Sequence, residues 1–351
     1  MRRLALIACL LTVCITAASA FIRHWQGAPG CDGRVGCTSV AGAAGAASNA
    51  TPATPAAAAG AAANASSTAA ARSADAAADG GETPTPVLLA RVAHRVAASA
   101  VGIIAIALVF VGWSRLERGE RIAAGIAFVL TAGLAWLGRH TPSELPLVTL
   151  GNVAGGFALA AAFAWVAARP ARGGAQPGAE RGAEPRAEAG AERGAGTGLA
   201  WAAFGTLIAM TALGVLISAR GALDGCPTLL CLPADAPTAA LFDPRVASIV
   251  ADASGAQALH LVHRIAGIVF ALLVLGAGLR VGASAGGRPE QALSVAVCLG
   301  LLVQAGFGAV IAAGAASPAI AAAHNAGAAL LAVALAALAR RGATGVRGSR
   351  R

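Results

Sequence analysis

Three of the six histidines stand inside long apolar runs, and two of these open the same phrase: His94-Arg95-Val96-Ala97 and His263-Arg264-Ile265-Ala266. The third is His324, in His324-Asn325-Ala326-Gly327, and its counterpart earlier in the chain is Asn152-Val153-Ala154-Gly155. Histidine within hydrocarbon is costly and marks function more often than chance. Its neutral ring is also a good ligand for iron. Two imidazoles at one depth in a four-helix bundle are what a six-coordinate haem requires, each ring held by its own helix. His263 and His324 form such a pair, and the small residues that follow, Ala266-Gly267 and Ala326-Gly327, predict room for a flat macrocycle. His94 and Asn152 are the corresponding pair. The competing use of a single intramembrane histidine is a hydrogen bond between helices. His260, one turn before His263, suits a propionate neighbour or a polar rim. Arg95 and Arg264 are cations that could pair with propionates or snorkel to the headgroups.

These residues need helices that cross a bilayer, and the composition supplies them. The chain is 57% apolar and 12% charged, about half the charged share of an ordinary soluble domain. Eight stretches of about 20 residues are long enough to span hydrocarbon: 4–22, 88–113, 121–138, 147–168, 199–218, 256–279, 291–314 and 318–340. Each histidine lies about seven residues in from the outer end of its segment, roughly 10 Å at about 1.5 Å per residue. The order apolar segment, Gly-Cys with a second Cys nearby, then His-Arg segment occurs twice, which reads as an internal duplication. The expected fold is therefore an all-α integral membrane protein of eight transmembrane helices in two duplicated four-helix bundles. Residues 1–168 form the first half, 169–198 a linker, 199–340 the second half and 341–351 a basic tail. The Ala-, Thr-, Ser- and Pro-rich tract 40–86 and the linker 169–198 hold too few large apolar residues to offset ordering entropy, and both are expected to be disordered.

A net charge of +10 invites a nucleic-acid reading, but the distribution excludes it. Most of the 26 basic residues fall in 1–3, 114–121, 169–198, 280–290 and the tail from Arg340. That is the positive-inside bias, which assigns both termini to the cytoplasm and the chain to a bacterial-type inner membrane. The tail suits anionic lipid. Met1-Arg2-Arg3, an apolar core and Ala18-Ser19-Ala20 also fit a signal peptide. The duplication favours a retained helix, because 199–218 holds the same place before the second cysteine pair.

Cys31, Cys37, Cys226 and Cys231 fall in the outer loops, where disulfides persist. The short spacings read as two local links, Cys31–Cys37 and Cys226–Cys231, with Gly33, Gly36 and Pro227 suited to turn the chain back. Unpaired or cross-paired thiols are the alternative, since connectivity is not carried by spacing. Zinc fits less well, because no second ligand pair lies beside either loop.

Eight helices in two halves, an outer cysteine pair per half, His-Arg-x-Ala on the second and sixth segments and a histidine on the eighth resemble the haem A synthases, the COX15/CtaA family. The resemblance covers the chain apart from 40–86 and 169–198. It implies oxidation of the C8 methyl of haem O to the formyl of haem A by successive hydroxylations, for insertion into terminal oxidases. It implies a haem b whose iron is held by His263 and His324 and which handles electrons. The substrate haem maps onto His94 and the position of Asn152. Implied partners are haem O synthase, terminal oxidase assembly factors and an electron donor. Two positions depart from the family pattern: Arg91 stands where an acidic residue is usual, and Asn152 where a histidine is usual. A carboxylate there could move a proton, and an arginine cannot. The alternative is therefore a non-catalytic haem-binding or cytochrome oxidase assembly membrane protein. A transporter ranks below both, because the repeats are parallel and no broken helix or charged pathway is evident, Gln304 in the seventh segment being the chief polar exception.

Overall fold

The computed structural model describes residues 1–26, 85–139, 146–168, 183–219, 256–283, 288–313 and 317–349. The two cysteine loops, almost all of 40–86, and 169–182 lie outside these residues, and with them the expected Cys31–Cys37 and Cys226–Cys231 links. The described chain is all-helical: α1 Arg2–Gln26, α2 Thr85–Phe110, α3 Arg118–Gly138, α4 Pro146–Ala167, α5 Ala183–Ala219, α6 Ala256–Ala283, α7 Arg288–Ala312 and α8 Pro318–Ser349, with one 3-10 turn, Trp113–Arg115. All eight are long and apolar enough to cross a membrane. Their outward faces carry large apolar side chains such as Ile103, Phe110, Val129 and Leu302, which lipid rather than water would solvate.

Local chemistry sets the helix ends. Proline opens α4 and α8, where its missing N–H is no loss, and the Ser317 hydroxyl accepts from the Ile320 amide at 3.2 Å to cap α8. At the start of α3, Glu117 and Glu120 form a reciprocal capping box, with the Glu117 amide donating to Glu120 at 2.9 Å. The second segment ends three residues earlier than expected, at Phe110, because the chain turns tightly at Gly112. A Cβ there would stand 2.6 Å from the Leu108 carbonyl oxygen and 2.9 Å from the Met1 sulfur.

One expectation is corrected. The linker 169–198 is not wholly irregular: α5 already begins at Ala183. Its Ala, Glu and Arg content is strongly helix-forming, and Pro185 falls in the first turn, where it does not break the helix. Helix α8 runs on into the basic tail, to Ser349.

Packing follows two rings. Helix α1 contacts α2, α2 contacts α3, α3 contacts α4, and α4 returns to α1. In the same way α5 contacts α6, α6 contacts α7, α7 contacts α8, and α8 returns to α5. The rings meet where α8 lies on α1 and α4, and α4 on α5. Alanine makes this approach possible. Ala160, Ala161, Ala164, Ala328, Ala329, Ala332, Ala336 and Ala339 are all buried on α4 and α8, and small side chains let helix backbones come close in a bilayer.

Polar links also tie the rings together. The Asn325 amide on α8 donates to the Thr16 carbonyl on α1 at 2.9 Å. Fifteen residues further along α8, Arg340 reaches Glu120 at 3.5 Å and Glu117 at 3.4 Å on α3 and lies over the Trp165 ring of α4 at 5.2 Å. A separate pair, Arg341 with Glu290 at 3.0 Å, joins α8 to α7. Because Met1 lies beside Gly112 and Arg340 beside Glu117, the start of α1 and the far part of α8 share one end of the helix layer.

Candidate functional site

Each of the four polar residues singled out in the sequence begins the same buried seam. On α2, the positions 7, 11 and 14 residues after His94 are Val101, Ala105 and Leu108; on α4, those after Asn152 are Leu159, Phe163 and Val166. After His263 on α6 they are Phe270, Val274 and Ala277, and after His324 on α8 they are Leu331, Leu335 and Leu338. All twelve are buried. Offsets of 7, 11 and 14 return to one face of an α-helix, so each polar residue stands on the inward face of its helix, one to two turns beyond the packed core. Within each ring the two helices concerned sit across from one another, each packed mainly on the two between them.

In the second ring the surroundings of both imidazoles are defined. His263 faces α5, beside the backbone of Met210, and a Cβ at Gly214 would lie 3.6 Å from its Cε1. His324 faces α7, where a Cβ at Gly308 would lie 3.5 Å from its Cε1. The two rings are near enough to interact electrostatically, and His260 lies close enough to His263 to do the same. Glycine therefore stands opposite each ring on the neighbouring helix. A larger side chain would take the space the ring uses.

Polar satisfaction in this ring is incomplete. His263 Nδ1 and Gln304 Oε1 are buried without a hydrogen-bond partner. Unpaired buried polar atoms are uncommon in native interiors and call for an explanation. An imidazole nitrogen left open inside an apolar bundle, with a second imidazole beside it, is a donor set suited to axial coordination of a haem iron, where the porphyrin supplies the remaining ligands. Among the described residues no cluster of three or more His, Cys, Asp or Glu side chains could hold a bare metal ion. The two histidines thus fit a haem better than a protein-only metal centre.

The room expected beside the small residues is partly taken. Gly327 lies directly under the Gln304 amide oxygen, which a Cβ would strike, and a Cβ added at Gly267 would keep 3.5 Å from the Met210 methyl. The smallness of both residues admits side chains from neighbouring helices. Gln304 itself lies 3.2 Å from His324 Nδ1 and 3.3 Å from Nε2 through its amide nitrogen. As the chief polar residue of an apolar segment it was visible in the sequence, but nothing there showed which histidine it meets.

The first ring is plainer. His94 is half-buried, Arg95 is exposed, and Arg91 and Asn152 are partly buried. Arg264 is partly buried in the second ring. Asn152 is packed one turn before Gly155 and Gly156, whose Cβ positions would meet Leu134 of α3 and Thr16 of α1 at 2.9 Å.

The pattern of the COX15-CtaA family, described as cytochrome oxidase assembly protein, matches residues 2–336. No curated protein matches the chain individually. The match spans both rings and all four polar positions, and the chain belongs to this family.

Proposed function

We propose that this cytochrome oxidase assembly protein is an intramembrane haem-modifying oxidoreductase that converts the C8 methyl of haem O to the formyl of haem A, a four-electron oxidation whose electrons pass to an external oxidant and whose oxygen atom comes from that oxidant or from water. The observation that carries the proposal is the shared register of His94, Asn152, His263 and His324, each on the inward face of a helix and paired across its ring. His263 and His324 hold a haem b in the second ring, and the haem O substrate sits against His94 and Asn152 in the first. The bound haem b supplies one-electron redox chemistry.

The chain's own residues bind and orient. His263 and His324 approach from opposite helices, and Gly214 and Gly308 leave space for their rings. Asn152 is a weak iron ligand but both donates and accepts hydrogen bonds, so it holds a water or a substrate edge on the face opposite His94. Arg264 and Arg95, next to the histidines, offer cations to propionates. Arg91 supplies no base, so any proton removed from the substrate methyl leaves by another group or by water. The chain works in an inner membrane with both termini on the cytoplasmic side, alongside haem O synthase, oxidase assembly factors and an electron donor.

His263→Ala or His324→Ala should abolish the low-spin b-type spectrum of the purified protein. His94→Ala should keep that spectrum and stop formation of haem A in membranes, measured by extraction and separation of haems B, O and A. An unchanged spectrum in both second-ring variants would refute the haem b site. Arg91 and Asn152 favour a second reading, a haem-binding assembly protein without turnover, which holds if cells lacking the chain keep normal haem A.

A further inference from the structure

Gln304 lies in the apolar middle of α7, where an unpaired amide costs several kcal/mol. Its neighbours Val303 and Ala305 are exposed on the lipid side, while its own side chain turns inward to His324. The contact is reciprocal. Gln304 of α7 seats over Gly327 of α8, and His324 of α8 seats opposite Gly308 of α7, so one small residue on each helix makes way for the other helix's polar side chain. The amide nitrogen stands 3.2 and 3.3 Å from the two ring nitrogens, while Oε1 is buried with no partner.

The chemistry of a ligating imidazole accounts for that orphan oxygen. When one ring nitrogen binds iron, the other carries the proton and needs an acceptor, as ligating histidines generally have. An amide nitrogen cannot accept. Exchanging the two ends of the amide turns Oε1 to the ring and gives the ring N–H its acceptor, with the amide NH2 taking the buried place over Gly327.

The first ring offers an internal comparison. Thr131-Ala132-Gly133 on α3 parallels Gln304-Ala305-Gly306 on α7, and the Thr131 hydroxyl donates to the Ala127 carbonyl of its own helix at 2.7 Å. Where Asn152 replaces the histidine, the long amide on the neighbouring helix is absent too.

We infer that Gln304 is a positioning residue of the second-ring site: its amide oxygen accepts the ring N–H of His324, fixes the tautomer and ring orientation, and lowers the reduction potential of the haem held there. This rests on the proposed ligation of haem iron by His324. A stronger acceptor raises the basicity of the ligand and favours ferric iron, and a lost acceptor does the reverse.

The test is potentiometric titration of the purified, haem-containing protein. Gln304→Glu, nearly the same size, should lower the midpoint potential, and Gln304→Leu should raise it. Each should change the ratio of oxidised to reduced haem at the wild-type midpoint by about tenfold, the lower end of effects from such outer partners. Gly327→Ala should also raise the potential, because the added methyl displaces the Gln304 amide from the ring while leaving both histidines and Gln304 itself in the sequence. Shifts of the same sign in the Glu and Leu variants, or an unmoved potential in Gly327→Ala, would overturn the inference while leaving the haem site intact. A low-spin spectrum that survives His324→Ala overturns the ligation itself.

Discussion

Replacing Arg340 with methionine should destabilise the protein by about 3 kcal/mol, and most of that should be recoverable by neutralising Glu120. The guanidinium is nearly buried, with a side-chain exposure of 9%, and Glu120 is buried more deeply, at 1%. At an effective dielectric of about 20, unit charges 3.5 Å apart attract by about 5 kcal/mol. Desolvation offsets much of this, so the pair's net stabilisation is small. Removing one partner is different: it leaves a carboxylate in the interior without its cation, which typically costs about 3–5 kcal/mol. We take the lower end, because both contacts are long for charge-assisted hydrogen bonds and Glu117, at 48% exposure, is largely solvated. Methionine keeps the stem packed on Trp165, so little of the loss arises from a cavity. Glu120→Gln preserves the capping box, which accepts glutamine, and should cost about 1 kcal/mol. The assay is a double-mutant cycle of reversible unfolding in mixed micelles, followed by tryptophan fluorescence. The double variant should be more stable than the sum of the singles by about 2–3 kcal/mol. Additivity to within about 0.5 kcal/mol would show that the two charges do not act as a pair and would refute the argument.

Three further outcomes follow from the geometry. Gly214→Leu should expel the His263 ring and abolish the low-spin spectrum, whereas Gly214→Ala, whose Cβ would make an ordinary 3.6 Å contact, should leave it in place; equal spectra in the two variants would disprove the facing arrangement. Asn325→Val, which installs the residue found at the matching place on α4, Val153, should cost about 1 kcal/mol through loss of the bond to Thr16 and leave the spectrum unchanged, as read by the same unfolding assay and by absorbance. Reporter fusions after Arg172 and Arg351 should read cytoplasmic and one within 40–86 periplasmic, and mass spectrometry without reduction should find Cys31 joined to Cys37 and Cys226 to Cys231; a periplasmic C-terminus would overturn the assigned sidedness.

The parts of this fold that were legible in the sequence depend on one helix at a time. Hydropathy locates each span because lipid requires about 20 apolar residues in a row, and an inward histidine is conspicuous because hydrocarbon makes it costly. What escaped depends on pairs of helices. Glu117 and Glu120 stand as charges before an apolar run, with no sequence sign of a partner, and Arg340 reads as the start of a basic tail. Their sequence separations, 223 and 220 residues, hide the fact that α8 lies across the other ring and carries the arginine to α3. Gln304 stood out as a polar exception, yet its partner depends on how α7 rotates against α8, which the apolar pattern of α7 does not specify. The small residues after each histidine were read as room for a flat ring, and the same smallness serves equally for close approach of Gln304 or Met210. A glycine records that something comes near but not what. The link between the rings is therefore the feature least visible in the sequence. The bonds from Asn325 and Arg340 have no polar counterpart at the matching places in the first half, Val153 on α4 and Ala168 just after it. Helix α8, which carries His324 next to Asn325, thus joins the second-ring site to the packing of the first.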